Sequence, residues 1–490
     1  MAVMSAATTP LPSVPTDLLI GGRWQPAACA RSISVVNPAT EDVLARVADA
    51  DEVDGLAALA AAAESQHDWA STPAGRRADI LDRAYRAILT RRGEFAALIA
   101  AEMGKPWSEA QSEVDYGAGF FRWFAESARR LHLDGQFGIE PGGQYRIAVS
   151  KRPVGPSLLI TPWNFPLAMG ARKVAPALAA GCTTILKPAE QTPLSSLLLA
   201  QVLEDCGVPA GVVNVITTTR SSEVVAAIMR DCRARKVSFT GSTRVGKILL
   251  RQAAENVMNT SMELGGNGPL IVFADADLDI AVEGALVAKL RNGGESCVAA
   301  NRIFVQREIA ATFTERFTER MRNVAVGDAS NAGTAIGPLI DERQLHKVSD
   351  LVHDAVAKGA HCLTGGHRVE REGFFYAPTV LHNIPDDAAI CTEEIFGPVA
   401  PIYEFDSEEQ VLAAANATEY GLASYVFTRD LSRALKVADA LDTGMTGINR
   451  GVVSNPVAPF GGIKASGIGR EGGIEGLDAY LETKYTGIEL

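Results

Sequence analysis

Hydrophobic positions along this chain change their period repeatedly, and each change predicts a different kind of element. From about residue 55 to 131 apolar residues recur at three- and four-residue spacing, with an alanine-rich run at 56–63 followed by Ile80, Leu81, Tyr85, Ile88 and Leu89. That spacing is the buried face of amphipathic helices. Residues 135–150 break it: Gly135-Gln136-Phe137-Gly138 through Tyr145-Arg146-Ile147-Ala148-Val149 predict a glycine-turned hairpin. Short apolar runs then alternate with helical stretches. Strands are expected at 154–160, 182–187, 212–216, 235–240 and 258–263, and helices at 166–180, 193–206, 221–231 and 242–255. Thr192 before Pro193 reads as a capping hydroxyl ahead of a proline at the first helical position. A second alternating unit starts with a strand at 268–273 and a helix at 277–290 that puts Leu278, Val282, Ala285, Leu286 and Leu290 on one face. A strand at 302–306 and a helix carrying Phe313, Phe317 and Met321 continue it. Such alternation implies an α/β fold, parallel sheets covered by helices.

With 490 residues the chain is too long for one core, and 47% hydrophobic with 21% charged residues is ordinary globular composition. A formal charge of −12 without any basic run argues against a nucleic-acid partner. Residues 153–171 lack charge, as a membrane span would, but Pro153, Pro156, Pro162 and Pro166 make a buried strand and loop the better reading. Residues 1–16 have neither the basic nor the apolar region of a signal peptide and read as a disordered tail. The seven cysteines are scattered and never form a Cys-x-x-Cys pair, which suits a reducing cytoplasm and predicts neither disulfides nor a metal site.

Candidate chemistry centres on Cys297. Gly293 and Gly294 permit a sharp bend just before it, and the apolar run Ile303-Phe304-Val305 follows. Most free cysteines are simply buried hydrophobes, but Met262-Glu263-Leu264-Gly265-Gly266-Asn267 supplies a carboxylate at the end of a second strand. Phe239-Thr240-Gly241-Ser242 ends a strand and opens a helix, where free N–H groups suit a pyrophosphate; alone it would be an ordinary cap. Lys187-Pro188-Ala189-Glu190 lies at the carboxyl end of a strand, where Glu190 suits ribose hydroxyls and repels a 2′-phosphate. Asn164, in Thr161-Pro162-Trp163-Asn164-Phe165-Pro166, is a candidate oxyanion donor or merely a turn residue. Glu394-Ile395-Phe396-Gly397-Pro398 sets a carboxylate beside an aromatic ring. The literal glycine fingerprint Gly467-Ile468-Gly469-Arg470-Glu471-Gly472 is rejected, since no apolar strand precedes it and Gly473 and Gly476 spoil a following helix.

Together, and in this order, these motifs with Pro459-Phe460-Gly461-Gly462 resemble the aldehyde dehydrogenase superfamily over residues 17 to 490. Ile448-Asn449, Val452-Val453-Ser454-Asn455, Val457 to Gly467 and Ala479-Tyr480-Leu481-Glu482 are similar to succinate-semialdehyde dehydrogenases in particular. The resemblance implies two α/β domains, a Rossmann-like cofactor domain and a catalytic domain, plus a β-hairpin oligomerisation arm. The expected boundaries are 17–134 and 151–264 for NAD(P) binding, 265–448 for catalysis, and 135–150 with 470–490 for the arm. It implies Cys297 as nucleophile, Asn164 as oxyanion donor and Glu263 as general base. Thr161, Trp163, Lys187, Glu190, Gly241, Ser242, Leu264, Glu394 and Phe396 would hold NAD, with NADP possible. Arg172, Arg291 and Ser454 would hold the carboxylate of a small carboxylated aldehyde, and a homo-oligomer, a dimer or a dimer of dimers, is expected. Alternatives are another ω-carboxylated aldehyde such as glutarate semialdehyde, or a catalytically silent paralogue. The chain departs from close relatives at Glu295-Ser296, where they carry Gln-Thr, at Ala299, where many carry a second cysteine, and at Arg450.

Overall fold

The computed structural model describes residues 11–130 and 136–489. Residues 1–10 of the expected tail, Gly135 of the expected hairpin, residues 131–134 and Leu490 lie outside the described residues. Residues 11–16 form no regular element, yet Val14 packs on the largest core and the Thr16 carbonyl accepts from Ala48 N at 2.8 Å.

The chain opens with a hairpin, β1 (Leu18–Ile20) and β2 (Arg23–Gln25), and a two-stranded ribbon, β3 (Ser32–Val36) and β4 (Val43–Ala48). The helical period resolves into α1 (Glu52–Ser71), α2 (Ala74–Thr90), α3 (Arg92–Met103) and α4 (Trp107–Arg130). Ile80, Leu81 and Ile88 are buried as their spacing implied, against Phe120, Phe121 and Phe124 of α4. The hairpin is present as β5 (Gln136–Ile139) and β6 (Tyr145–Pro153).

The first alternating unit then runs β7 (Ser157–Ile160), α5 (Ala168–Ala180), β8 (Thr184–Lys187), α6 (Leu194–Asp205), β9 (Val213–Val215), α7 (Ser221–Arg230), β10 (Lys236–Thr240), α8 (Thr243–Glu255) and β11 (Asn259–Glu263). β11, β10, β7, β8 and β9 are parallel neighbours, and β1 and β2 extend the sheet antiparallel. β7 and β8 are buried at every position, as strands covered on both faces must be. Among the described residues no helix is long and apolar enough to cross a membrane; the uncharged stretch is β7, a loop and the start of α5.

The second unit comprises β12 (Gly268–Val272), α9 (Leu278–Leu290), β13 (Ala300–Gln306), α10 (Arg307–Arg322), α11 (Glu342–Ala357), β14 (His361–Thr364), β15 (Thr379–His382), β16 (Val399–Phe405), α12 (Glu408–Asn416), β17 (Ala423–Phe427), α13 (Leu431–Ala440) and β18 (Met445–Ile448). Its sheet, ordered β14-β15-β16-β13-β12-β17-β18, is parallel except at the β14 edge. The chain then returns to the first sheet through β19 (Gly467–Ile468), antiparallel to β11. Here the glycine fingerprint finds its use: a Cβ at Gly467 would fall 1.9 Å from the Met262 carbonyl oxygen, so the motif seals a sheet edge. The last strand, β20 (Leu481–Glu489), pairs with β6.

Two helix starts differ from expectation. Thr192 does not cap α6; its hydroxyl donates to the Trp163 carbonyl at 3.3 Å. The free N–H groups of Leu194 and Ser195 are taken by Glu102 of α3, at 2.7 and 2.9 Å. Burial pushes the Glu102 carboxyl up to about 7, against the pull of those hydrogen bonds. Likewise α5 has no side-chain cap of its own, and Glu113 of α4 accepts from Leu167 N and Ala168 N at 2.9 and 3.1 Å. A carboxylate at a helix start satisfies orphan donors whatever its distance in sequence.

Candidate active site

Cys297 stands at the end of a turn that only a few residue types permit. Asn292, Gly293 and Gly294 are all left-handed, at φ 57°, 63° and 81°. A Cβ at Gly294 would lie 2.2 Å from the Gly397 carbonyl oxygen, and one at Gly266 would lie 2.3 Å from the Cys297 carbonyl oxygen. Both glycines are there for close backbone approach. After the bend, the Tyr425 hydroxyl donates to the Val298 carbonyl at 2.7 Å and β13 takes over. The thiol borders a cavity of about 920 Å³ including its open mouth. Burial pushes the thiol up to about 12, with Arg172 pulling in the opposite direction and Glu394 and Glu263 adding to the rise.

Asn164, in the loop between β7 and α5, lines the same cavity. Its Nδ2 donates to the Glu295 carbonyl at 3.0 Å, and its Oδ1 has no partner. Since an amide nitrogen carries two hydrogens, one N–H remains for a substrate oxygen. Glu263, the last residue of β11, is 2% exposed, and neither carboxylate oxygen has a hydrogen-bond partner. The cavity wall holds its neighbours Leu264 and Gly265 rather than Glu263 itself. Burial, reinforced by Glu471, raises this carboxyl well above its ordinary value.

On one side of Cys297 the wall is made by Trp163, Gly241, Ser242, Leu264, Glu394 and Phe396. Ser242 caps α8 through Val245 N at 3.4 Å, leaving the helix start facing the cavity. The hydroxyls of Thr161 and Thr240 are buried without partners. Phe396, itself at φ 57°, meets Trp163 edge-on with ring centres 5.3 Å apart. Glu394 accepts from Gly266 N at 3.0 Å, and burial raises its carboxyl. A helix start, orphaned hydroxyls, a carboxylate and two rings fit a dinucleotide. Lys187 and Glu190 stand at the end of β8, 3.9 Å apart and outside this cavity; Glu190 lines a neighbouring hollow with Asp341 and Arg343.

On the other side stand Arg172, Arg291 and Ser454, with Tyr116, Phe165, Met169 and Phe460 around them. Arg291 has no ion-pair partner among the described residues; its Nη1 donates to Ser454 Oγ at 3.4 Å, and the guanidinium lies 5.2 Å from the Phe165 ring centre. Arg172 is 1% exposed and pairs with Glu471, which also holds Lys173. Burial opposes its charge most strongly, but Glu471, Tyr116, Glu263 and Cys297 together outweigh it and raise its pKa. The anion that a buried Arg172 requires is thus present within the chain, although Arg172 Nη2 has no hydrogen bond.

One cavity therefore gathers Cys297, Asn164, Trp163, Gly241, Ser242, Leu264, Glu394, Phe396, Arg172, Arg291 and Ser454. Thr161, Lys187, Glu190 and Glu263 lie beside it. Sequence reasoning missed Tyr116, Gln344 and Lys347 in the wall, and Glu471 behind it. Tyr116 sits within an unremarked helical period, and Glu471 inside a motif that was rightly denied a nucleotide role. Gln344 Nε2 donates to the Phe396 carbonyl at 2.6 Å, a contact with no local signature. Of the three departures, Glu295 is 1% exposed, accepts from Ile340 N at 3.1 Å and is raised well above the usual carboxyl range by burial. Ala299 is buried, and Arg450 is exposed and outside the wall. Among the described residues no group of side chains could hold a metal ion.

This geometry has close counterparts. A succinate-semialdehyde dehydrogenase of Paenarthrobacter nicotinovorans is 51% identical over 446 residues, covering 91% of this chain and 99% of that protein. A glutarate-semialdehyde dehydrogenase of Pseudomonas putida is 46% identical, over 95% of this chain and 96% of its own length. The crystal structure of succinate-semialdehyde dehydrogenase from Burkholderia pseudomallei superposes with a TM-score of 0.95 at 43% identity, covering 97% and 98% of the two chains. The aldehyde dehydrogenase family model matches residues 24–486, and the chain belongs to that family.

Proposed function

We propose that this protein oxidises succinate semialdehyde to succinate with NAD(P). The observation that carries the substrate is Arg291, an unpaired cation held beside Ser454 in the cavity that contains Cys297. A monoanionic aldehyde places its carboxylate there while its carbonyl carbon reaches the thiol. Arg172 Nη2, a buried donor without a partner, adds a second hydrogen bond.

Cys297 Sγ, once deprotonated, bonds to the carbonyl carbon. The oxygen that gains charge is held by the free N–H of Asn164 and by the Cys297 main chain. A bound NAD(P) would supply the hydride acceptor for the carbonyl carbon. A thioester then remains on Cys297. Glu263 takes a proton from the water that attacks it, after turning toward the cavity. Gly241, Ser242, Thr161, Lys187 and Glu190 would hold the phosphates and ribose, and Trp163, Leu264, Glu394 and Phe396 the nicotinamide half. Glu190 disfavours a 2′-phosphate, so NAD is preferred over NADP.

We assign residues 17–134 and 151–264 to cofactor binding, 265–448 to catalysis, and 135–150 with 470–490 to an oligomerisation arm. The arm's support is its exposed apolar face, with Phe137 64%, Ile139 62% and Ile488 42% exposed, which suits a dimer or a dimer of dimers. A cytoplasmic location fits the seven free thiols. Glutarate semialdehyde is the second reading, favoured by the Pseudomonas putida relative. Initial rates with C3–C6 semialdehydes, butyraldehyde and both cofactors test all of this. Succinate semialdehyde should give the highest kcat/KM and exceed butyraldehyde by about two to four decades, since charge-assisted hydrogen bonds contribute about 1.5–3 kcal/mol each. Equal efficiency on both would remove the carboxylate-binding role of Arg291.

A further inference from the structure

The loop carrying Asn164 is held from outside. Its main-chain carbonyl accepts from Lys105 Nζ at 2.9 Å and from Asn292 Nδ2 at 3.0 Å. The same ammonium donates to Glu113 Oε2 at 2.5 Å and lies 4.0 Å from the Phe165 ring centre. Its donors are thereby spent on a carboxylate, a carbonyl and a π face, two of which belong to the Asn164–Phe165 loop. The other Glu113 oxygen takes the first two N–H groups of α5, immediately after that loop. Lys105 and Glu113 are 3% and 2% exposed. Lys105 follows Gly104, which ends α3 in the left-handed region at φ 87° and packs so tightly that a Cβ would lie 2.6 Å from Pro338 Cγ. Both ends of the pair are thus fixed by the helical layer, and the loop hangs between them.

Two charges this deep cost several kcal/mol of hydration, and apolar residues of similar size often replace such pairs without loss. Burial draws the Lys105 ammonium down, and Glu113 opposes that pull. What an apolar pair could not supply is a hydrogen bond to the Asn164 carbonyl and two to the start of α5. We propose that Lys105 and Glu113 are positioning residues for the oxyanion: they fix the Asn164 peptide so that its side-chain amide meets the carbonyl oxygen when Cys297 attacks. The proposal rests on the aldehyde oxidation described above.

The test combines a rate, a chemical probe and a double-mutant cycle. In Lys105→Met, the pre-steady-state formation of NADH from succinate semialdehyde should fall on the order of 100-fold, the loss expected when a reacting group is displaced by about 1 Å. Alkylation of Cys297 by iodoacetamide, which needs no oxyanion donor, should keep its rate, and NAD should bind with unchanged affinity. In an Asn164→Ala background the Lys105→Met change should add little, because its effect passes through Asn164. If Lys105→Met fails to fold, Lys105→Met/Glu113→Gln removes the unpaired charge and leaves an acceptor for the α5 N–H groups; the same selective loss is expected. Alkylation that falls in parallel with NADH formation, or losses that multiply with Asn164→Ala, would overturn the positioning role. No NADH from any aldehyde with the unaltered protein would instead overturn the functional reading on which it rests.

Discussion

Arg172 and Arg291 line the same cavity but differ in what balances their charge. Arg172 is buried against Glu471, inside the protein. Arg291 has a serine hydroxyl and an aromatic face, and the nearby Glu109 carboxyl binds Asn292 N without forming an ion pair with it. A buried cation with an internal anion is part of the framework, and one without invites an external anion. Arg172 also differs in what it does for the nucleophile. It is the largest influence holding the Cys297 thiol down against burial. On the proposed reading Arg172 serves mainly the sulfur and the fold, and Arg291 the substrate's far end.

The largest effect should come from removing the internal anion. Glu471→Gln leaves Arg172 and Lys173 without a counter-charge, and the denaturant midpoint should reflect a loss of about 3–5 kcal/mol. A variant as stable as the parent would show that Glu471 does not balance Arg172. Next in size is Arg291→Ala: kcat/KM for succinate semialdehyde should drop about 10- to 100-fold, corresponding to about 1.5–3 kcal/mol, while butyraldehyde is oxidised as before. An equal drop on both aldehydes would make Arg291 structural, like Arg172. Ser454→Ala should cost about 1 kcal/mol on the charged substrate only, close to a fivefold change.

The smallest change sharpens the other half of the comparison. With the thiol near 12, the rate of Cys297 alkylation should climb with pH throughout the neutral and mildly alkaline range. Arg172→Gln removes a cation that favours the thiolate, so the pKa rises further and the profile moves to higher pH. Arg291→Ala should leave the profile where it was. A shift in the second variant, or none in the first, would erase the division of labour between the two arginines.

Much of the site was legible in the amino-acid sequence because its signals are local. The bend before Cys297 needs Gly293 and Gly294 within a few residues, and the start of α8 is set by Ser242, three residues from the N–H it accepts. The alternation of apolar runs likewise fixed two parallel sheets, since each strand must be buried on both faces. Other features depend on partners far along the chain. Thr192 was a reasonable cap for α6 by local rules, yet Glu102, 92 residues away, took the position. Arg172 and Glu471 are separated by the whole second sheet, and the unpaired state of Arg291 is defined by every carboxylate that does not reach it. Backbone conformation and periodic burial act over a few residues and are written in sequence. Charge balance and helix capping by distant carboxylates depend on which side chains the folded layers bring within about 4 Å, so only the tertiary structure decided them.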